Sequence, residues 1–274
     1  MIVCNVENTI ADSVNSVLKQ SFKDFELVIV NAGSTDNTSK IIGSFDDKRI
    51  RLTESKHDKI QSLNLSITLS TGNYIALMDT NSIMHVDRLK MQYEIMENFP
   101  EITICSSWEA VFGEKVSKKV LEQKVSGLIE LPLIQLLDDI AISSTYTIRR
   151  SFINDHNIAF ESFDNAVNYK FWTEIAKFNG GFYIDSQPLN YKRIDSTNIL
   201  LRKQRLEWFK SILKIKKEII LTLCEKYYES YPAFSTLYNS YCDLSSQGLI
   251  SENDIYKIFY SIFIKNKDIF NNLP

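Results

Sequence analysis

The sequence predicts an α/β fold, in which a mostly parallel central sheet is flanked by helices and followed by a helical C-terminal appendage. Three observations carry that prediction. Short β-favouring apolar runs alternate with helical patterns through the first half of the chain, as in a sheet built with crossover helices. Polar residues gather where those runs end. After Ser196 the pattern turns almost wholly helical and is rich in Lys, Leu, Ile, Phe and Tyr.

In order, Met1 to Cys4 reads as the end of a strand, and Thr9 to Gln20 has apolar residues at helical spacing. Phe25 to Val30, FELVIV, is a nearly continuous apolar run of the kind buried on both faces of a sheet. The turn-rich stretch NAGSTDNT follows at once, with Ser34 and Asp36 placed to cap a helix over Thr38 to Ser44. Ile50 to Leu52 gives a short strand, Lys59 to Leu69 a helix, and Tyr74 to Met78 a further buried strand that ends at Asp79. Ligands of open α/β sheets bind outside the carboxyl ends of the strands, so Asn5, Asn31 and Asp79 are expected to line one crevice at the edge of one sheet. Beyond it come a helix over Val86 to Asn98, strands over Ile102 to Ser106 and Ser144 to Ile148, a helix over Val167 to Phe178 and a strand over Gly181 to Ile184. The expected boundaries are 1–195 for the sheet-bearing domain and 196–274 for the helical region.

Composition narrows the function. A formal net charge of −3 gives no global field for a polyanion, so a nucleic-acid partner is not indicated. Cys4, Cys105, Cys224 and Cys242 lie far apart, without the close pairs of a zinc site or a secreted disulfide framework, which fits a reducing cytoplasm. No apolar run approaches the roughly twenty residues of a membrane span, and there is no basic-then-apolar leader. The expected location is cytoplasmic, with peripheral contact at the inner face of the membrane left open.

Three segments, SVLKQSFKDFELVIVNAGSTDNT, STGNYIALMDTNSIMHVDRL and NYKFWTEIAKFNGGFYIDSQPLNYKR, are together similar in order and spacing to the family 2 glycosyltransferases. The resemblance covers roughly residues 1 to 195. It implies a GT-A fold, a nucleotide-diphosphate sugar donor of the UDP type, a divalent metal (Mn or Mg), inversion at the sugar carbon, and a saccharide or lipid-linked acceptor in surface polysaccharide synthesis. It places Asn5, Asn31, Ala32 and Asp79 at the donor, and Asp79 and Asn81 at the metal.

The family's acidic residues are largely replaced. An acidic pair precedes Gly-Ser in the family; this chain has Asn31 and Ala32, of which only Asn31 offers a polar atom. Asn31 then either meets the nucleotide base or supports the turn. The metal motif Asp-x-Asp reads Asp79, Thr80, Asn81, which exchanges a charged oxygen ligand for an amide. Asp79 itself either meets the donor or caps the next helix. An acidic pair carrying the general base aligns with Val167 and Asn168, fixed by Tyr169, Phe171 and Trp172, and neither side chain takes a proton near neutral pH. Asp164, a few residues upstream, is the possible substitute. The resemblance also implies a longer apolar first strand than MIVCN supplies. Two functions follow: a transferase by descent with weak or lost turnover, or a catalytically silent relative that binds a nucleotide, a glycan or a partner transferase.

Residues Arg202 to Lys217, RKQRLEWFKSILKIKK, mix basic residues with Leu, Trp, Phe and Ile at helical spacing. The pattern suits a membrane-surface helix, and equally a helix whose apolar stripe packs on the core while its lysines stay in water.

Overall fold

The computed structural model describes residues 1–113, 116–122, 125–129, 132–138, 145–163, 166–194, 202–228, 232–267 and 270. The first half runs β1 (Ile2–Val3), α1 (Ile10–Leu18), β2 (Leu27–Asn31), α2 (Thr38–Gly43), β3 (Ile50–Glu54), α3 (Lys59–Leu69), β4 (Tyr74–Ala76), β5 (Ser82–Met84) and α4 (Arg88–Asn98). It continues with β6 (Ile102–Gly113), β7 (Val116–Leu121), β8 (Gly127–Ile129), α5 (Pro132–Leu137), β9 (Thr147–Arg149), α6 (Arg150–Asp155), α7 (Val167–Lys177) and β10 (Gly181–Arg193). Three helices close the chain: α8 (Arg202–Tyr228), α9 (Pro232–Ser246) and α10 (Glu252–Lys265).

Among the described residues the strands form two sheets rather than the single one expected. One is parallel, in the order β1-β2-β3; the other is mixed, in the order β4-β9-β6-β10-β5, with β7 on β6 and β8 on β10. FELVIV supplies the centre of the parallel sheet, and all five residues of β2 are buried, as a run flanked on both faces requires. The long parallel pairing of β6 with β10 is the spine of the mixed sheet, and it bulges around Pro188, which has no N–H to give the ladder.

Each sheet has its own apolar core. Val3, Ile10, Val14, Val17, Ile29 and Ile42 close the first, joined by Met78 from the link after β4 and Met84 of β5. The second is larger and holds Ile104, Tyr146, Ile148, Phe171 and Ile184 together with Ile215, Ile219 and Leu223 of α8 and Phe259 and Phe263 of α10. Thus the C-terminal helices pack on α5 and α7 and share the mixed sheet's core. Lys170 and Lys177 of α7 both meet Glu218 of α8, and Lys216 donates to the Leu137 carbonyl at 2.8 Å. The sequence left open which way α8 faces. Ile212, Ile215, Ile219 and Ile220 point inward, while Trp208, Phe209 and Leu213 stay exposed beside Lys210 and Lys214.

Candidate functional site

The chain turns sharply after β1. Asn5 sits at φ 51°, a left-handed conformation that asparagine tolerates because its side chain bonds locally. Its Oδ1 accepts from the Thr35 N–H at 2.8 Å, and its own N–H donates to Ser34 Oγ at 3.0 Å. Val6 N–H donates to Thr38 Oγ1 at 2.9 Å, Glu7 N–H to Asp36 Oδ2 at 3.1 Å, and Asn37 N–H returns to Glu7 Oε2 at 2.9 Å. The loop after β1 is therefore stitched to the loop after β2 across the carboxyl edge of the parallel sheet. Of the expected pair of caps on α2, Asp36 serves and Ser34 does not. Asn37 holds the N-cap position of α2, Asp36 Oδ1 accepts from the Thr38 N–H, and Ser34 belongs to Asn31. Gly33, at φ 78°, is what lets the chain leave β2 at that angle.

Asn31 is buried and its hydrogen-bonding capacity is heavily used. Its Oδ1 accepts from Ser34 N–H at 3.0 Å and Ser34 Oγ at 2.6 Å. Its Nδ2 donates to Ser39 Oγ at 2.6 Å and to the two Glu54 carboxylate oxygens at 3.1 and 2.9 Å. Asn31 thus supports the turn, and beside it stands Glu54, a carboxylate at the end of β3. Ala32 is half-buried, and its N–H is taken by the Val3 carbonyl at 2.9 Å.

Asp79, Thr80 and Asn81 form the link between β4 and β5, so Asp79 and Asn31 follow strands of different sheets. Both Asp79 and Asn81 are half-buried. Ser13 of α1 fixes the link by donating to the Thr80 and Ser82 carbonyls at 2.8 and 2.9 Å, and Arg193 N–H donates to the Asn81 carbonyl at 2.9 Å. Asp79 lies close enough to Met1 for its charge to stabilise the buried N-terminal ammonium. Behind the link is Arg88, fully buried, with its guanidinium on the Leu77 carbonyl at 3.0 Å and Gln92 Oε1 at 3.1 Å. Burial lowers its pKa to about 10, while Cys105, Asp79 and Glu109 pull the other way, so it stays a cation at neutral pH.

At the start of α7 the side chains of Val167 and Asn168 are half-buried. Asn168 Oδ1 accepts from the Tyr146 hydroxyl at 3.3 Å. Burial pushes the Tyr146 phenol above its ordinary range, and the charge of Asp79 pushes the same way. Trp172 meets the Tyr146 ring edge-on with centroids 5.7 Å apart. Asp164 falls outside the described residues.

The sequence profile of glycosyl transferase family 2 matches residues 1–174. The chain belongs to that family. An uncharacterized glycosyltransferase of Haemophilus influenzae is 28% identical over 192 residues, 65% of this chain and 59% of that protein. Escherichia coli WfgD, a UDP-Glc:alpha-D-GlcNAc-diphosphoundecaprenol beta-1,3-glucosyltransferase, is 26% identical over 74% of this chain and 80% of its own length. Among solved structures, Staphylococcus aureus TarS 1-349 in complex with UDP-GlcNAc superposes with a TM-score of 0.64 at 16% identity, covering 81% of this chain and 64% of that one. The mannosyltransferase PcManGT of Pyrobaculum calidifontis, in complex with GDP-Man and Mn2+, covers 97% of this chain and 86% of its own at a TM-score of 0.57 and 12% identity. The chain therefore spans under two thirds of the Haemophilus relative and of the TarS fragment, and the structural likeness establishes the α/β GT-A fold.

Against the family pattern, the link after β4 retains one carboxylate, Asp79, with an amide at Asn81. Among the described residues no three Asp, Glu, His or Cys side chains group to hold a metal ion. Asp79 and Asn81 are the residues that would hold a divalent cation here, and an amide in place of the second carboxylate fits so hard a cation poorly. If bound there, the metal would neutralise charge on a departing diphosphate.

Glu54, Arg88 and Tyr146 were not singled out by the sequence. Glu54 was nearest to legible, since extending the Ile50 strand by two residues puts it at a carboxyl end. Arg88 reads in sequence as an ordinary solvent-facing residue opening a helix, and only the tertiary fold buries it. Tyr146 gains its place from the β4–β9 pairing, a long-range contact without local signature.

Proposed function

We propose that this chain keeps the donor-binding architecture of family 2 glycosyltransferases, holds a nucleotide-diphosphate sugar weakly at Asp79, and has weak or lost turnover. The observation that carries the reading is at the start of α7, where Asn168 is tied to Tyr146 and no carboxylate occupies position 167 or 168. A positioned general base is worth about a hundredfold to ten-thousandfold in rate, and neither an amide nor an alkyl group replaces it. On the donor side, Asn31 is committed to Ser34, Ser39 and Glu54, so base recognition would fall to backbone groups and to Glu54.

Calorimetric titration with UDP, with and without manganese, tests this. The expected result is weak binding that responds little to the metal. Metal-dependent affinity tighter than roughly 10 μM, about 7 kcal/mol, would refute it.

The acceptor is proposed to be a saccharide, free or lipid-linked, of the kind named for WfgD. A lipid-linked acceptor calls for contact with a membrane surface. Among the described residues no helix is long and apolar enough to cross a membrane. The outward side of α8, however, presents Trp208, Phe209 (61% exposed) and Leu213 beside Lys210 and Lys214, the composition of an interfacial helix. Cosedimentation with anionic vesicles is expected for the intact chain and not for a Trp208→Ser, Phe209→Ser variant. Equal partitioning of the two proteins would remove the membrane from this proposal.

A further inference from the structure

Three buried polar atoms on one side of the mixed sheet make no hydrogen bond: Ser106 Oγ, Trp108 Nε1 and Trp172 Nε1. Buried polar groups are normally paired, because an orphan loses its hydration and gains nothing in return. Asn190 Oδ1, the fourth such atom among the described residues, belongs to the opposite face, where its own Nδ2 meets Glu109.

The strand pairings put the three in one layer. Ile104 of β6 faces Ile148 of β9, and both lie in the core that packs on α7. Strand alternation keeps Ser106 and Trp108 on that face, while Cys105 packs with Met96 of α4 and Thr147 Oγ1 donates to Gln92. The antiparallel register, carried on by one residue, sets Tyr146 opposite Ser106. From α7, Trp172 meets the Tyr146 ring edge-on with centroids 5.7 Å apart, and its indole N–H lies near the phenol oxygen without hydrogen-bond geometry. The Tyr146 hydroxyl itself donates to Asn168. Ser106 (1% exposed) and Trp172 (6%) form the floor, and the half-buried Trp108, Val167 and Asn168 open the layer to solvent.

The chemistry of the three atoms selects an occupant. An indole N–H only donates, whereas a hydroxyl both donates and accepts. A secondary amide is their complement: its carbonyl oxygen takes two donors, and its N–H gives one bond to Ser106 Oγ. A sugar hydroxyl brings a donor of its own, for which two indole N–H groups offer no acceptor. A carboxylate is disfavoured, because the charge of Asp79 already acts on Tyr146. Arg88 lies behind the sheet on Leu77 and Gln92, and Lys170 of α7 is held by Glu174 and Glu218, so neither balances a second negative charge here.

We propose that this layer recognises the N-acyl group of an amino sugar, with the Trp108 and Trp172 N–H groups on the acyl oxygen and Ser106 Oγ on the amide N–H. The acyl methyl then lies against the Tyr146 ring. The inference rests on the reading that the site between Asp79 and α7 seats a sugar, and adds which sugars it selects: 2-acylamino sugars over their 2-hydroxyl counterparts.

The chain has three tryptophans, at 108, 172 and 208, so its indole N–H resonances report directly on the layer. The protein labelled with nitrogen-15 is titrated with N-acetylglucosamine, glucose and glucuronate, each into the tens of millimolar. N-acetylglucosamine is expected to shift the Trp108 and Trp172 resonances and leave that of Trp208 in place, while the other two sugars shift neither. Ser106→Ala and Trp108→Phe each remove one partner with little change of shape, and each should weaken N-acetylglucosamine roughly fivefold to tenfold. Equal shifts with glucose or glucuronate, or none with N-acetylglucosamine, would overturn the proposal, as would full affinity in both variants. The same spectra recorded with UDP keep the two readings apart. Loss of UDP binding alone strikes the donor-site reading, whereas the indole response to N-acetylglucosamine decides this one.

Discussion

Restoring three side chains, Val167→Glu, Asn168→Asp and Asn81→Asp, should produce hydrolysis or transfer of a UDP-sugar at a rate about a hundredfold to ten-thousandfold above the unmodified chain. The geometry favours this set. The Tyr146 hydroxyl already donates to Asn168 Oδ1 at 3.3 Å, and an aspartate there keeps the acceptor in place while adding the charge a base requires. Asn81→Asp supplies the second charged oxygen on a link whose backbone is held by Ser13 and Arg193. Product release from a labelled UDP-sugar, with and without manganese, is the measurement. Equal turnover by the unmodified protein would show that the chemistry lies elsewhere. In that case Asp164→Asn becomes decisive, because loss of turnover in that variant would identify Asp164 as the relocated base.

The largest loss of stability is expected from Arg88→Ala. Its guanidinium holds the Leu77 carbonyl at the end of β4 and Gln92 Oε1 on its own helix. Gln92 extends the network, donating to the Cys105 carbonyl at 3.1 Å and accepting from Thr147 Oγ1 at 2.8 Å. Removing the cation leaves these acceptors without their buried partner and takes its charge away from the neighbourhood of Asp79 and Glu109. Breaking such a pairing costs about 3–5 kcal/mol, or roughly 10 °C in thermal midpoint for a chain of this size. Arg88→Lys keeps the charge but not the planar fork, so it should fall between wild type and alanine. A loss below about 1 kcal/mol in Arg88→Ala would mean that water or rearranged side chains satisfy the network without the arginine.

Most of the element order was legible because it rests on local pattern. The helix over Lys59 to Leu69 matches α3 end to end, and the apolar runs at FELVIV and Tyr74 mark true strands. Strand lengths were much less legible. The runs at Ile102 and Gly181 continue as β6 and β10 to Gly113 and Arg193, held by pairing with each other rather than by their own hydrophobicity. The helix expected from Val86 begins at Arg88, since the Arg88 N–H returns to the His85 carbonyl and forms a turn first.

At the site, the sequence indicated which residue types stand at the strand ends, and the structure locates them. It could not say how they spend their hydrogen bonds. Asn31 illustrates the gap: its partner Glu54 is 23 residues away and belongs to a neighbouring strand. The division into two sheets was hidden for a similar reason, because strand partners are set between residues far apart in sequence.

The stitching of the two loops above the parallel sheet also bears on the thermodynamics of any ligand bound there. Asn5, Val6 and Glu7 are bonded to Ser34, Thr35, Asp36, Asn37 and Thr38 before a ligand arrives, so the conformational entropy of ordering these segments is spent in folding and not at the moment of association. A small ligand would meet a rim that is nearly rigid. Its binding enthalpy would then come mostly from groups the rim has left unengaged, and little of it would be offset by a change in the protein's own freedom.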